Sequence, residues 1–158
     1  MFDAQLRPLT DRLLNPIGRG LVTLGVTANQ VTMIGAAFGL IAAGCVAAGL
    51  LYPALWFLIA NRFIDGLDGA VARASRSSDF GGYLDIVSAF IFYSAIPLAF
   101  AVARPETALA AAFLIFSFIG TATSFLGFAI LAEKHKVTTQ IRGKKAFYYL
   151  GGLTEGTE

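Results

Sequence analysis

Three stretches of this chain, Val31–Leu51, Ile86–Val102 and Thr107–Ala132, run without a single charged side chain. A hydrocarbon core takes about 20 apolar residues of helix to cross, and each stretch comes close to that length or exceeds it. Lipid offers no partner to an unpaired backbone N–H or C=O, so the spanning structure is helical. A fourth segment, Tyr52–Ala60, is too short alone and spans only if its helix carries on through Asn61, Arg62, Asp65 and Asp68. With 56% of its residues hydrophobic and 14% charged, the chain reads as an all-α integral membrane protein.

Orientation follows from the basic residues. Arg7, Arg12 and Arg19 precede the first span, Arg73 and Arg76 separate the second from the third, and Lys134, Lys136, Arg142, Lys144 and Lys145 follow the fourth. If the spans alternate, all of these share one side and Arg104 alone lies on the other. The positive-inside rule makes the basic side cytoplasmic and turns the 65–85 stretch toward the cytoplasm, as in a bacterial inner membrane. A net charge of +2 then belongs to a basic rim against anionic lipid headgroups and calls for no nucleic-acid partner. Cys45, alone in a span, forms no internal disulfide. Met1–Gly20 carries Asp3, Arg7, Asp11, Arg12 and Arg19 and lacks the apolar core of a cleavable signal peptide.

The whole chain, 1–158, reads as one membrane domain. Phe2, Leu6, Leu9, Leu13 and Ile17 form an amphipathic stripe over 1–20, expected to lie in the interface and to bend or break near Pro8 and Pro16; a soluble helix packed on a partner is the rival reading. Spans are expected over 27–51, 52–74, 81–103 and 106–132, with Thr27 or Asn29 capping the first. A cytoplasmic loop follows over 133–145, and 146–158 starts a fifth helix, so the sequence is expected to be a C-terminally truncated piece. Gly35-x-x-x-Gly39 and Gly120-x-x-x-Ser124 have the spacing that lets helices approach closely, with packing inside the bundle the favoured use.

The acids are the feature a lipid-embedded chain must explain. On a helix Asp65 and Asp68 lie one turn apart on one face with Ala72 beyond them, and Gly81, Asp85 and Ala89 form a second row. A short connection makes the two helices antiparallel, so the three carboxylates converge at the cytoplasmic mouth. Converging carboxylates repel one another unless a cation sits among them. Oxygen ligands without thiolate favour Mg²⁺ or Mn²⁺ over zinc. Gly69, Ala72, Gly81 and Gly82 leave the helix surface bare enough for a base or sugar to come close, and Arg73, with Arg76 as a candidate, offers charge to phosphate oxygens. Metal, small residues and arginine together describe a bound diphosphate. Asp79 reads as a loop acid or helix cap, Arg76 as a topology residue, and Asn61 and Arg62 as bonded to each other or to a neighbouring helix.

Asp65-x-x-Asp68-Gly69-x-x-Ala72-Arg73 followed by Gly81-x-x-x-Asp85 resembles the signature of the CDP-alcohol phosphotransferase family. The resemblance extends to the amphipathic start and to the Gly25-Val26-Thr27-x-Asn29-x-x-Thr32 approach to span one; past roughly residue 100 it is hydrophobic pattern only. It implies a six-helix membrane bundle, of which this chain holds four spans and part of a fifth, usually a homodimer with two divalent metals. Such enzymes move a substituted phosphate from a CDP-linked lipid donor to an alcohol acceptor and release CMP. By position, the resemblance makes Asp65, Asp68 and Asp85 metal ligands and Asn29, Thr32, Gly69, Ala72, Arg73, Ser78 and Gly81 donor contacts. The chain departs from the pattern in having seven rather than eight residues between Arg73 and Gly81, which bears on Ser78, and in placing Ala89 where the family has its last acid and general base. Alanine neither accepts a proton nor binds metal, so impaired transfer is expected. A non-catalytic relative that binds a CDP-lipid or assembles with a partner is the second reading. A cation path through the acids is the third, disfavoured by the arginine beside them.

Overall fold

The computed structural model of the chain describes residues 3–75 and 78–135. Of the loop expected over 133–145, Glu133 and Lys134 instead close the last described helix; Arg76, the rest of that loop beyond His135 and the expected fifth helix over 146–158 lie outside the described residues. Among the described residues five α-helices follow one another: α1 (Asp3–Thr23), α2 (Ala28–Ala47), α3 (Leu51–Ala74), α4 (Asp79–Ala103) and α5 (Ala108–Lys134), with one 3₁₀ turn, Pro105–Thr107, leading into α5. By length and composition α2, α4 and the Pro105–Lys134 segment suffice to cross a membrane. α3 continues unbroken for 24 residues through Asn61, Arg62, Asp65 and Asp68, which at 1.5 Å per residue is about 36 Å of helix.

Local chemistry sets the helix ends. Thr27 caps α2 in a reciprocal box: its hydroxyl accepts from the Gln30 N–H at 3.3 Å while the Gln30 side chain accepts from the Thr27 N–H at 2.9 Å. Asn29 lies inside the helix. α1 and α2 both end on a glycine with positive φ, Gly25 at 79° and Gly49 at 76°. The next residue donates back across the turn, Val26 N–H to Leu21 O at 3.0 Å and Leu50 N–H to Cys45 O at 2.8 Å. That left-handed closure suits a residue without Cβ. Ser78, rather than Asp79, caps α4 by accepting from the Gly81 N–H at 3.0 Å; Asp79 sits in the first turn, where a negative charge complements the helix dipole.

α2 is packed between α3 and α4 through its small residues. A Cβ on Gly39 would lie 2.7 Å from Phe92 Cδ2 and 3.0 Å from Asn61 Nδ2, and one on Gly35 would lie 3.1 Å from Ile64 Cγ2. This small-residue pair therefore works inside the chain. Two apolar clusters flank it: Ala43, Val46, Ala54 and Ala99 at one end, and Val31, Leu67, Ala70 and Val71 at the other. Cys45, a free thiol, packs against the first.

α1 runs through Pro8 and Pro16 without the expected break. The lost backbone bonds are offset by docking on α3, where Leu14, Leu21 and Val22 pack on the second cluster. The approach is close: a Cβ on Gly18 would lie 2.8 Å from the Ala70 carbonyl carbon. Leu13 and Ile17, members of the stripe read from the sequence, stay exposed. α1 thus packs on one apolar face and presents the neighbouring one outward, as an interfacial helix does. Among the described helices α5 packs on α4 alone, with Tyr93 and Phe118 ring centroids 5.9 Å apart. Only 6% of its apolar window is buried, and none of the described residues stands within 4 Å of a Cβ on Gly120.

Candidate metal and phosphate site

α3 and α4 run antiparallel on either side of α2, so Ala54 early in α3 and Ala99 late in α4 share one cluster with Ala43 and Val46 while Asp65 and Asp68 converge with Asp85 near the start of α4. One oxygen from each of the three carboxylates lies within 4.8 Å of the other two. Asp68 is buried, Asp65 half-buried and Asp85 exposed. The cleft around them is lined by Thr32, Gly35 and Ala36 of α2, Asn61, Arg62, Asp65 and Asp68 of α3, and Asp85, Ser88, Ala89 and Phe92 of α4.

Hydrogen bonds orient this layer. The Thr32 hydroxyl donates to Asp68 Oδ2 at 2.8 Å, holding the deepest carboxylate toward the cleft. Asn61 is 3% exposed, and its Nδ2 donates to the Gly35 carbonyl at 2.8 Å. Its Oδ1 accepts from Arg62 Nε at 3.0 Å and Nη2 at 2.8 Å. The Arg62 guanidinium also lies 4.7 Å from the Phe92 ring centroid and 5.8 Å from that of Tyr93, and Nη1 stands 3.6 Å from Asp65 Oδ2. The cleft therefore holds a cation among its acids. The expected bond between Asn61 and Arg62 exists, but the sequence reading missed its result, a guanidinium fixed inside the site. The signal was present in spacing: Asn61 and Arg62 precede Asp65 by four and three residues and share its face.

Of the residues read from the sequence, Asp65, Asp68, Asp85, Thr32 and Ala89 line one cleft. Asn29, Gly69, Ala72, Arg73, Ser78 and Gly81 do not line it. Asn29, Ala72 and Gly81 stand about one helical turn nearer the ends of the same helices, because Asn29 precedes Thr32 by three, Ala72 follows Asp68 by four and Gly81 precedes Asp85 by four, while Gly69 directly follows Asp68. Two helices nearly touch in this outer layer: a Cβ on Gly81 would fall 2.8 Å from Asn29 Oδ1 and 3.1 Å from Ser78 Oγ. Ser78 Oγ is engaged as the α4 cap. Arg73 crosses Gly69, whose Cβ position is 3.3 Å from Arg73 Nη1, and Nη2 reaches α1, 2.7 Å from Asp11 Oδ1 and 3.1 Å from Asn15 Oδ1. Both sequence readings of Arg73, phosphate ligand and topology residue, overlooked this link to α1.

The donor set fits a hard divalent cation. It consists of three convergent carboxylates with a hydroxyl-held member and no sulfur or imidazole, the ligand chemistry of Mg²⁺ and Mn²⁺.

A family model described as CDP-alcohol phosphatidyltransferase matches residues 25–151, well past the point at which motif resemblance alone fades. The chain is 46% identical over 159 residues to inner membrane protein YnjF of Escherichia coli strain K12, a match covering all of this chain and 77% of that protein. It is 38% identical over 89 residues to the archaetidylinositol phosphate synthase of Pyrococcus horikoshii, covering 52% of this chain and 44% of that one. The archaetidylinositol phosphate synthase of Methanothermobacter thermautotrophicus is 38% identical over 82 residues, 51% and 40% of the two chains. No solved structure matches significantly.

Proposed function

From a chain that belongs to the CDP-alcohol phosphatidyltransferase family, we infer a membrane-bound transferase of phospholipid biosynthesis that takes a CDP-linked lipid as donor, transfers its substituted phosphate to an alcohol and releases CMP. The supporting observation is the meeting of Asp65, Asp68 and Asp85 within 4.8 Å, with Ala72 and Gly81 about one helical turn outward. The three carboxylates would hold Mg²⁺ or Mn²⁺, which when bound stabilises charge on the diphosphate and on the departing CMP. Thr32 orients Asp68. Gly69, Ala72 and Gly81 leave room for the nucleotide, flanked by Asn29 and Ser78. Arg73 provides charge-assisted hydrogen bonds to phosphate oxygens, sharing or exchanging its contacts with Asp11 and Asn15 of α1.

Ala89 faces the same cleft and offers neither base nor ligand, so we expect slow transfer. That observation also favours the second reading, a relative that binds a CDP-lipid without turning it over or that assembles with a partner. The site opens toward the cytoplasm in this account, at a bacterial inner membrane, and the working unit is a homodimer.

The test is CMP release from CDP-diacylglycerol by detergent-solubilised protein with Mg²⁺, over glycerol phosphate, serine and inositol phosphate as acceptors. The likeness to archaetidylinositol phosphate synthases puts inositol phosphate first in that panel. Slow, metal-dependent release supports the transferase, and donor binding without release supports the second reading. Ion flux with neither would favour a cation path.

A further inference from the structure

We propose that this site takes one divalent cation per chain instead of the two that the family resemblance implies, and that the Arg62 guanidinium supplies the second positive charge to the donor's phosphates. The proposal rests on the donor-site reading above and adds to it a metal count and a role for a residue outside the motif.

The ligand inventory comes first. Asp65, Asp68 and Asp85 offer one converging set of oxygens, and a second hard cation would need oxygens of its own beside position 89. Position 89 is alanine. The other side-chain oxygens of the lining are neutral and already engaged: the Thr32 hydroxyl donates to Asp68, the Ser88 hydroxyl to the Leu84 carbonyl of its own helix, and Asn61 Oδ1 accepts twice from Arg62. Gly35, Ala36 and Phe92 bring no side-chain oxygen, so among the described residues no further anionic ligand lines the cleft.

The position of Arg62 comes second. Its guanidinium lies over Phe92 and beside Tyr93, residues three and four after Ala89 and therefore next to it on the α4 surface. The cation stands close to the space that an acid at 89 would enter. It is fixed there: Asn61, buried and anchored to the α2 backbone, holds Nε and Nη2, and Asp65 attracts Nη1. A planar fork held in this way suits phosphate oxygens.

Charge balance agrees with both. Three carboxylates and one guanidinium leave two negative charges, which one divalent cation neutralises. Before a donor binds, a second divalent cation would leave surplus positive charge beside Arg62, in surroundings that screen it poorly.

The test is a Mn²⁺ titration of the full chain in detergent, followed by electron paramagnetic resonance and metal analysis, with CDP-diacylglycerol binding measured in parallel. The unaltered protein should bind one Mn²⁺ per chain without an exchange-coupled pair, and Ala89→Asp should bind two with a coupled signal. Arg62→Gln should keep one Mn²⁺ while its affinity for CDP-diacylglycerol falls roughly ten- to hundredfold. Arg62→Met, which keeps an apolar stem against Phe92, should show the same loss and serves if the glutamine variant folds poorly. Two Mn²⁺ in the unaltered chain, or undiminished donor affinity in the folded Arg62 variants, overturns the proposal and leaves the donor-site reading standing. No Mn²⁺ in either the unaltered chain or Ala89→Asp overturns both.

Discussion

The two ends of the α2–α3–α4 bundle are built from the same helices and differ in what is placed between them. At one end Ala43 and Val46 of α2, Ala54 of α3 and Ala99 of α4 form one buried apolar cluster of small side chains. At the other, Asp65, Asp68 and Asp85 face one another across a cleft. Like charges push helices apart, so the acid end depends on attachments elsewhere. The alanine end is one, the Gly39 contact with Phe92 and Asn61 is a second, and α1, seated on Ala70 through Gly18, is a third. The difference separates holding from acting: substitutions at the alanine end should change stability and leave ligand binding alone, and substitutions in the cleft should do the reverse.

The largest expected effect is at position 89. Ala89→Asp places an acid on the face that already carries Asp85 and should speed CMP release roughly 10²- to 10⁴-fold, the usual contribution of a general base. Equal release at saturating donor and acceptor would put the base elsewhere. Arg73→Ala comes next and should weaken CDP-diacylglycerol binding by about 1.5–3 kcal/mol. Unchanged binding in an equilibrium assay would reduce Arg73 to its ion pair with Asp11. At the opposite end, Ala54→Leu should cost about 1–3 kcal/mol by overpacking, read as a lower unfolding temperature in detergent with donor affinity unchanged; a matching loss of affinity would break the distinction between the ends. The smallest effect is expected on α5, where Gly120→Leu meets open space and should shift the stability of the isolated chain by less than about 0.5 kcal/mol.

Much of this was legible in the residues. Charge-free length marked the spans, Thr27 was one of two residues offered as the cap of α2, its partner Gln30 going unread, and the helical spacing of Asp65, Asp68 and Asp85 on two antiparallel helices was enough to bring them together. Identical local spacing was less informative about partners. Gly35 and Gly39 sit against α3 and α4, whereas Gly120 faces outward, because a small-residue motif permits a close approach without naming who approaches. Arg62 was misjudged for the same reason: its local bond to Asn61 was foreseeable, but Phe92 and Tyr93, on another helix, complete its setting. The Arg73 link to Asp11 depends on how α1 docks, and α1 docks by the face beside the one its hydrophobic stripe marks. Pro8 and Pro16, breakers in isolation, are carried by that same docking.

The claim that the acid end is a metal-dependent donor site is tested most directly by binding of CDP-diacylglycerol to the unaltered chain and to Asp68→Asn, each with Mn²⁺ and with EDTA, alongside unfolding temperatures. Saturable binding that needs Mn²⁺ in the unaltered chain, and that disappears in an Asp68→Asn variant of undiminished stability, is the predicted result. Donor binding that persists in EDTA, or that Asp68→Asn retains in full, would contradict it.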